Sequence, residues 1–332
     1  MPVTQYYMGQ VSNGGSGMNL FRTVVLFALL AGGSAADAQY PARPIRLIIP
    51  FAAGAGTDVV ARTVAPKASE LLGQPIVAEN RTGHGGNVGA EAAAKSPPDG
   101  YTLVILSTIH AANQSFFRKL GYNMAADFAP IAELGDAVNV WVARPDLPIS
   151  NVEELARYAR ANPGKLTYGS GGATHPVELF KALVGVDITV VPYKGVSAAL
   201  QDLLASRVDM TVAGLLDTAG HIRAGKLKAV AVTNAKRVPQ LPGVSAMSES
   251  LPGYDYTIWY GIYAPAQIPP EIQARVRAAI LGALESPEVQ ARFESLTMRP
   301  AKSSQAEFAA RTRVEIARWA ETVKKAGIPL QD

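Results

Sequence analysis

The sequence predicts an α/β fold built as two αβ domains joined by two crossover strands, and three observations lead there. Strand-like and helix-like segments alternate along most of the chain. The alternation falls into two sets, one over 45–106 and one over 150–233. Two extended, aromatic-bearing stretches, "NVWVARPDLP" and "YTIWYGIYAPA", lie where the chain would pass from the first set to the second and back.

The first set opens with "IRLIIPFAAGAGTDVVART". Branched apolar residues over 45–51 predict a buried strand; small residues fill 52–56; a helix follows over 58–72 with Thr57 or Asp58 as its N-cap. A short strand is expected at 76–79. "NRTGHGGNVGAEAAAKS" is a glycine-rich loop entering an alanine-rich helix, "SPPDG" a turn, and 101–106 another buried strand. A strand–helix–strand rhythm of this kind implies a parallel sheet with helices on its faces. In the second set, "SNVEELARYARANPGK" reads as a helix opening on a Ser150–Glu153 capping box and stopping at Asn162-Pro163-Gly164. Strands at 166–168, 188–191, 208–213 and 227–233 alternate with helices at 177–183, 197–206 and 218–224. The C-terminal "PPEIQARVRAAILGALESPEVQARFESL" and "SQAEFAARTRVEIARWAETVKKAG" are helical, the latter opening on a Ser304–Glu307 capping box.

A length of 332 residues, 48% hydrophobic and 17% charged, suits two globular domains with ample core. The net charge of +4 is spread without a basic run, which argues against a nucleic-acid partner. With no cysteine there is neither a disulfide framework nor a thiolate metal site. No H-x-x-x-H or D-x-D-x-D-G spacing occurs, so no metal is expected. "MNLFRTVVLFALLAGGSAADA", from Met18, has a positive Arg22, an apolar run over 23–31 and an Ala36-Asp37-Ala38 cleavage pattern. This is the layout of a secretory signal, too short to span a bilayer comfortably. It marks 1–38 as a signal region with a true start at Met18, and the mature chain as exported from Gln39 onward without a lipid anchor.

Three loops are candidates for chemistry. In the first, Phe51, Ala52, Gly54, Ala55 and Gly56 leave backbone N–H groups open to a ligand, and the following helix start adds more. An anion site and a plain tight turn both satisfy that pattern. The third glycine of G-x-G-x-x-G is missing and no phosphate-loop lysine is present, so a nucleotide does not fit. The second loop, "YGSGGATHPVELF", repeats the shape with Ser170, Gly171, Gly172, Ala173, Thr174 and His175. His175 has no acid placed to orient it and reads as a loop histidine; the rival reading is an exported hydrolase using Ser170 and His175. The third set, "VPYKGVSAALQDLL" and "VAGLLDTAG", offers Tyr193, Lys194 and Asp217. Lys194 either meets an acidic ligand or is an exposed strand-end lysine. Ser107 and Thr108, just past the strand at 101–106, are candidates of the same kind. Paired catalytic carboxylates and a cofactor loop are missing, so neither enzyme activity nor a cofactor is expected.

"YPARPIRLIIPFAAGAGTDVVART", "GQPIVAENRTGHGGNVGAEAAAKSPPDGYTL", "VPYKGVSAALQDLLASRVDM" and "GKLKAVAVTNAKR" resemble, in this order, the solute receptors of tripartite tricarboxylate transporters, the Bug family. The resemblance runs from Tyr40 to the C-terminus. It implies a two-lobed periplasmic binding protein fold of type II that closes on its ligand like a hinge. Lobe one would comprise 39–141 plus 262–332 and lobe two 142–261. It implies a monomeric periplasmic receptor that hands a small organic acid to membrane permease subunits; a sensor role toward a signalling partner is the alternative within that class. It also implies a carboxylate gripped between Phe51, Ala52, Gly54, Ala55, Gly56 and Asp58 of lobe one and the 170–175 loop of lobe two. The chain departs from the family pattern in having Gly54-Ala55-Gly56 where paired glycines are common, and in a short lobe-two loop.

Overall fold

The computed structural model describes residues 40–332 and the isolated positions 1, 5, 8 and 9. The expected signal sequence, 18–38, lies outside the described residues. Arg43–Asp332 forms one compact unit containing two sheets.

The first sheet begins with Ile45–Ile49 (β1), Ile76–Asn80 (β2) and Thr102–Ser107 (β3). These run parallel with β1 in the middle, Ile45 opposite Ile76 and Leu47 opposite Leu103. β3 is buried at every residue, which is why it reads as an unbroken apolar run and not as an alternation. Phe128–Ala137 (β4) completes this stage, and one residue, Val138, separates it from Asn139–Ala143 (β5) in the other sheet.

The second sheet contains Thr167–Ser170 (β6), Thr189–Pro192 (β7), Met210–Gly214 (β8) and Lys228–Val232 (β9) in the order β7-β6-β8-β5-β9. β6, β7 and β8 are parallel, whereas β5 is antiparallel to both neighbours. The chain returns as Ile258–Pro265 (β10), antiparallel to β3 and β4, and the short Arg299–Pro300 (β11) pairs outside β4. The first sheet is therefore β2-β1-β3-β10-β4-β11. Both sheets share one plan: three parallel strands, then an antiparallel strand adjoining the crossing between lobes, then a further strand. β5 lies wholly in the second sheet and β10 wholly in the first. Divisions at 141/142 and 261/262 thus cut through strands; the changes of sheet fall at Val138 and between Tyr256 and Ile258.

Local differences from expectation have simple causes. The first helix is Gly56–Leu72, capped by the extended Ala55, so Asp58 stands in its first turn and is not the cap. The second-lobe capping box is shifted by one residue: Asn151 Oδ1 accepts the Glu154 N–H at 2.8 Å, and the Glu154 carboxylate accepts the Ser150 N–H at 2.8 Å. The Ser304–Glu307 box forms, with N–H to side-chain distances of 3.2 and 2.7 Å. Thr108–Phe116 is an additional helix whose polar composition hid it; its N-cap is Ser107, with the His110 ring closing the box in place of Glu or Gln.

β10 is buried along its whole length and anchors the first core, where Trp259 and Tyr263 meet Ile48, Val104, Leu106 and Phe308. Phe308 comes from helix Gln305–Ala326 and presses on the strand at Gly261, where an added Cβ would sit 2.1 Å from the ring. The second core gathers Val140, Val142, Leu200, Leu203, Val208 and Val232. Gly261→Ala forces Phe308 off the strand, and overpacking of a filled core costs on the order of 1–3 kcal/mol. Urea denaturation of the variant is expected to show that loss with an unchanged m-value.

Candidate functional site: a cleft between the lobes

A cleft of about 230 Å³ lies between the two sheets, lined by residues of both lobes. On the first-lobe side it is bounded by Phe51, Ala52, Gly54, Ala55, Gly56 and Thr57, the turn from β1 into helix Gly56–Leu72. This helix has no side-chain cap, and among the described residues no acceptor takes the N–H of Gly56 or Thr57. Unsatisfied amides at the positive end of a helix are a ready anion site.

Asp58 is what shapes that turn. Its carboxylate accepts the Gly54 N–H at 2.9 Å, the Asn80 amide at 2.9 Å and the Arg62 Nε at 2.8 Å. Burial works to raise its pKa, but the Gly54 N–H, then Asn80 and Arg62, outweigh burial and hold it below the ordinary carboxylate value. Asn80 also donates to the Phe51 carbonyl at 2.9 Å, tying β2 to the turn. Asp58 is 4% exposed and does not line the cleft, so it builds the cradle and does not touch what lies there.

The second lobe presents Gly171 and Ala173 after β6, Lys194 after β7, and Asp217 after β8. Lys194 is exposed and makes no ion pair among the described residues. Two helix starts also reach the cleft here: Val196–Leu204, N-capped by Gly195, and Leu215–Arg223, N-capped by Gly214, neither with a side-chain cap. Gly171 packs against the first of these so closely that a Cβ would lie 2.5 Å from the Val196 N and Cα. From the return crossover come Tyr256, Ile258 and Tyr260; the Tyr260 hydroxyl is 2.8 Å from where a Cβ on Gly56 would stand. Burial raises the Tyr260 phenol pKa well above its usual value, and the charge of Asp217 adds to the effect.

Several expected site residues serve other roles. Ser107 and Thr108 are fully buried away from the cleft: Ser107 caps its helix, while Thr108 Oγ1 donates to the Thr257 carbonyl at 2.8 Å and accepts the Trp259 N–H at 3.1 Å. Tyr193 donates to Asp202 Oδ2 at 2.7 Å and turns from the cleft. Ser170 Oγ donates to the Ala173 carbonyl at 3.2 Å and accepts the Gly172 N–H at 3.4 Å, closing its own loop. Gly172 and Thr174 are on that loop but off the cleft wall; Thr174 Oγ1 accepts from Gln331 Nε2 at 3.0 Å. His175 packs on Phe116 at 4.4 Å between ring centroids and near Trp319 and Tyr256, with Nδ1 unpartnered. No hydrogen bond joins it to Ser170, so the serine–histidine pair of a hydrolase is not assembled. Among the described residues no group of three or more His, Asp or Glu is placed to hold a metal ion.

Sequence reasoning missed Asn139, Tyr260, Gly195 and Gly214. The last two carry the same signal as the first loop, a strand followed by small residues and a helix, in "PYKGVS" and "VAGLL".

Two αβ lobes with a cleft fringed by open helix starts define the class: a two-lobed α/β binding protein. The chain matches the tripartite tricarboxylate transporter receptor family over residues 60–328, and it belongs to that family. BugT of Bordetella pertussis is 34% identical over 326 residues, spanning 95% of this chain and 100% of BugT. A Rhodopseudomonas palustris protein solved with adipate is 36% identical with a TM-score of 0.79, covering 88% of this chain and all (100%) of that one. The periplasmic binding protein BugD is 33% identical at a TM-score of 0.80, with 88% and 100% covered. MatC of R. palustris with bound malate is 33% identical at 0.79, with 86% and 100% covered.

His175 predicts a pH response. Burial, then the nearby His110, drives its pKa down to about 3, against about 6.5 unfolded. The neutral ring is fully stabilising above pH 6.5, and that stability drains away as pH falls toward 3. The slope is about 1.4 kcal/mol per pH unit for one such group. His110, similarly lowered to about 3, adds its own share. Urea midpoints between pH 4 and 7 are expected to be shallower in pH for His175→Phe by about one histidine's contribution.

Proposed function

We propose that the chain is a periplasmic receptor that captures a small organic carboxylate between its lobes and delivers it to a membrane permease. The observation that carries this reading is the pair of helix starts with open amides on one cleft, at Gly56 and Val196, one from each lobe; the third start there, at Leu215, already donates its N–H to the Val138 carbonyl. Main-chain amides preorganised in this way recognise a carboxylate without a bound counter-ion. Family membership, and relatives solved with adipate and with malate, support the same reading.

In this reading the N–H groups of Gly56 and Thr57 hold one carboxylate on the first-lobe side, and Gly54 and Ala55, whose own N–H groups go to Asp58 and the Ala52 carbonyl, shape the turn around it. Gly171, Ala173 and the 195–196 turn approach it from the second, and Lys194 meets a further anionic group. The secretory signal read at 18–38 would bring the mature chain to the periplasm. Receptor function calls for occupancy without turnover.

Thermal-shift assays of the mature protein against mono-, di- and aromatic carboxylates are expected to give a concentration-dependent rise in Tm with no product formed. Lys194→Ala is expected to weaken binding of the best acid about three- to tenfold, because charge-assisted hydrogen bonds are the stronger ones. Its ligand-free Tm should stay unchanged, since Lys194 has no ion-pair partner among the described residues. A panel that stabilises nothing overturns the reading.

A further inference from the structure

One charged group on the cleft wall is at odds with a site built only for carboxylates. Asp217 stands in the first turn of helix Leu215–Arg223 and lines the cleft. Its carboxylate has neither a hydrogen bond nor an ion pair among the described residues; the side chain is exposed to the cleft, and partial desolvation by the cleft walls raises its pKa. Asp58, Asp202 and Asp209, by contrast, are all spoken for by donors.

A second unpaired acceptor points to the same space. A Cβ at Gly214 would lie 3.2 Å from Asp217 Oδ2 and 3.9 Å from Asn139 Oδ1. Asn139 also lines the cleft, and its side-chain amide has no hydrogen-bond partner among the described residues. The absent side chain at Gly214 thus keeps open a small space flanked by two oxygens with nothing to accept from. Asp217 is exposed on the cleft wall, where its charge repels a plain second carboxylate and accepts from a donor. A neutral hydroxyl or a cationic ammonium satisfies it, the latter with a charge-assisted bond.

We propose that Asp217, with Asn139 beside it, selects carboxylic acids that carry an amino or hydroxyl donor over their unsubstituted counterparts. This rests on the receptor reading above and narrows its ligand class.

The test is calorimetric titration of the mature protein with matched series: succinate, malate and aspartate; glutarate, 2-hydroxyglutarate and glutamate; adipate and 2-aminoadipate. In whichever series binds, the substituted acid is expected to bind about tenfold or more tightly than the plain one, the scale of one hydrogen bond to a charged group. Asp217→Ala should bring the members of that series within about twofold of each other. Asp217→Asn, which keeps an acceptor but not the charge, should retain the hydroxyl preference and lose the amino one. Plain acids that bind as tightly as their substituted partners in the wild-type protein overturn the inference while leaving the receptor reading intact. So does a preference that survives Asp217→Ala. Failure of every series to bind overturns this inference, and the receptor reading falls with it only if the wider panel of mono-, di- and aromatic carboxylates also stabilises nothing. The wild-type ratios decide the ligand class even if a variant folds poorly.

Discussion

Each lobe of this protein is held together around an antiparallel strand that the chain enters or leaves at the crossing between lobes. β5 begins one residue after β4 ends, yet it sits between β8 and β9 in the other sheet. β10 comes back from the second lobe and runs buried between β3 and β4. A strand paired on both edges can neither slide nor peel without breaking two ladders. The chain changes sheet only at Val138 and in the short segment before Ile258. Thr108 grips that second segment on both sides, through the Thr257 carbonyl and the Trp259 N–H. The cleft opens beside these two passages, lined by Val138, Asn139 and Ile258.

A third bridge runs along the C-terminus. Helix Gln305–Ala326 packs on helix Thr108–Phe116, and Trp319 joins Phe116, His175 and Tyr256 in one aromatic cluster drawn from both lobes and the return crossover. Arg318 donates to the Asp255 carbonyl at 2.9 Å, just before that crossover. Beyond the helix, Gln331 binds the Phe116 carbonyl through its N–H at 2.7 Å and Thr174 through its side chain. The histidine that sequence alone offers to a hydrolase is thus part of the packing between lobes, where its neutrality matters more than its basicity.

Alternation of strands and helices was legible because buried parallel strands and amphipathic helices leave distinct periodicities. The strand–small residue–helix pattern of 45–63 likewise reports a cradle, since side-chain-free backbone before a helix start is its physical requirement. Side-chain assignments were less legible. Ser107, Thr108, Ser170 and Tyr193 are polar residues at strand ends, as ligand-binding residues are. Only the fold shows that their hydroxyls are engaged by a helix cap, a crossover, a loop and Asp202. Asn139 and Tyr260 escaped notice for the opposite reason. They lie inside apolar strands, and nothing local marks which strand residues border a cleft formed 120 residues apart in the chain.

The division of labour at Asp58 has a consequence for the site. Because this carboxylate spends itself on fastening the turn, the surface left facing the cleft is peptide backbone, bared by the small residues at Gly54, Ala55 and Gly56. In the receptor reading proposed above, exchanges on the far wall would change which acid is favoured while this backbone handle stays in place.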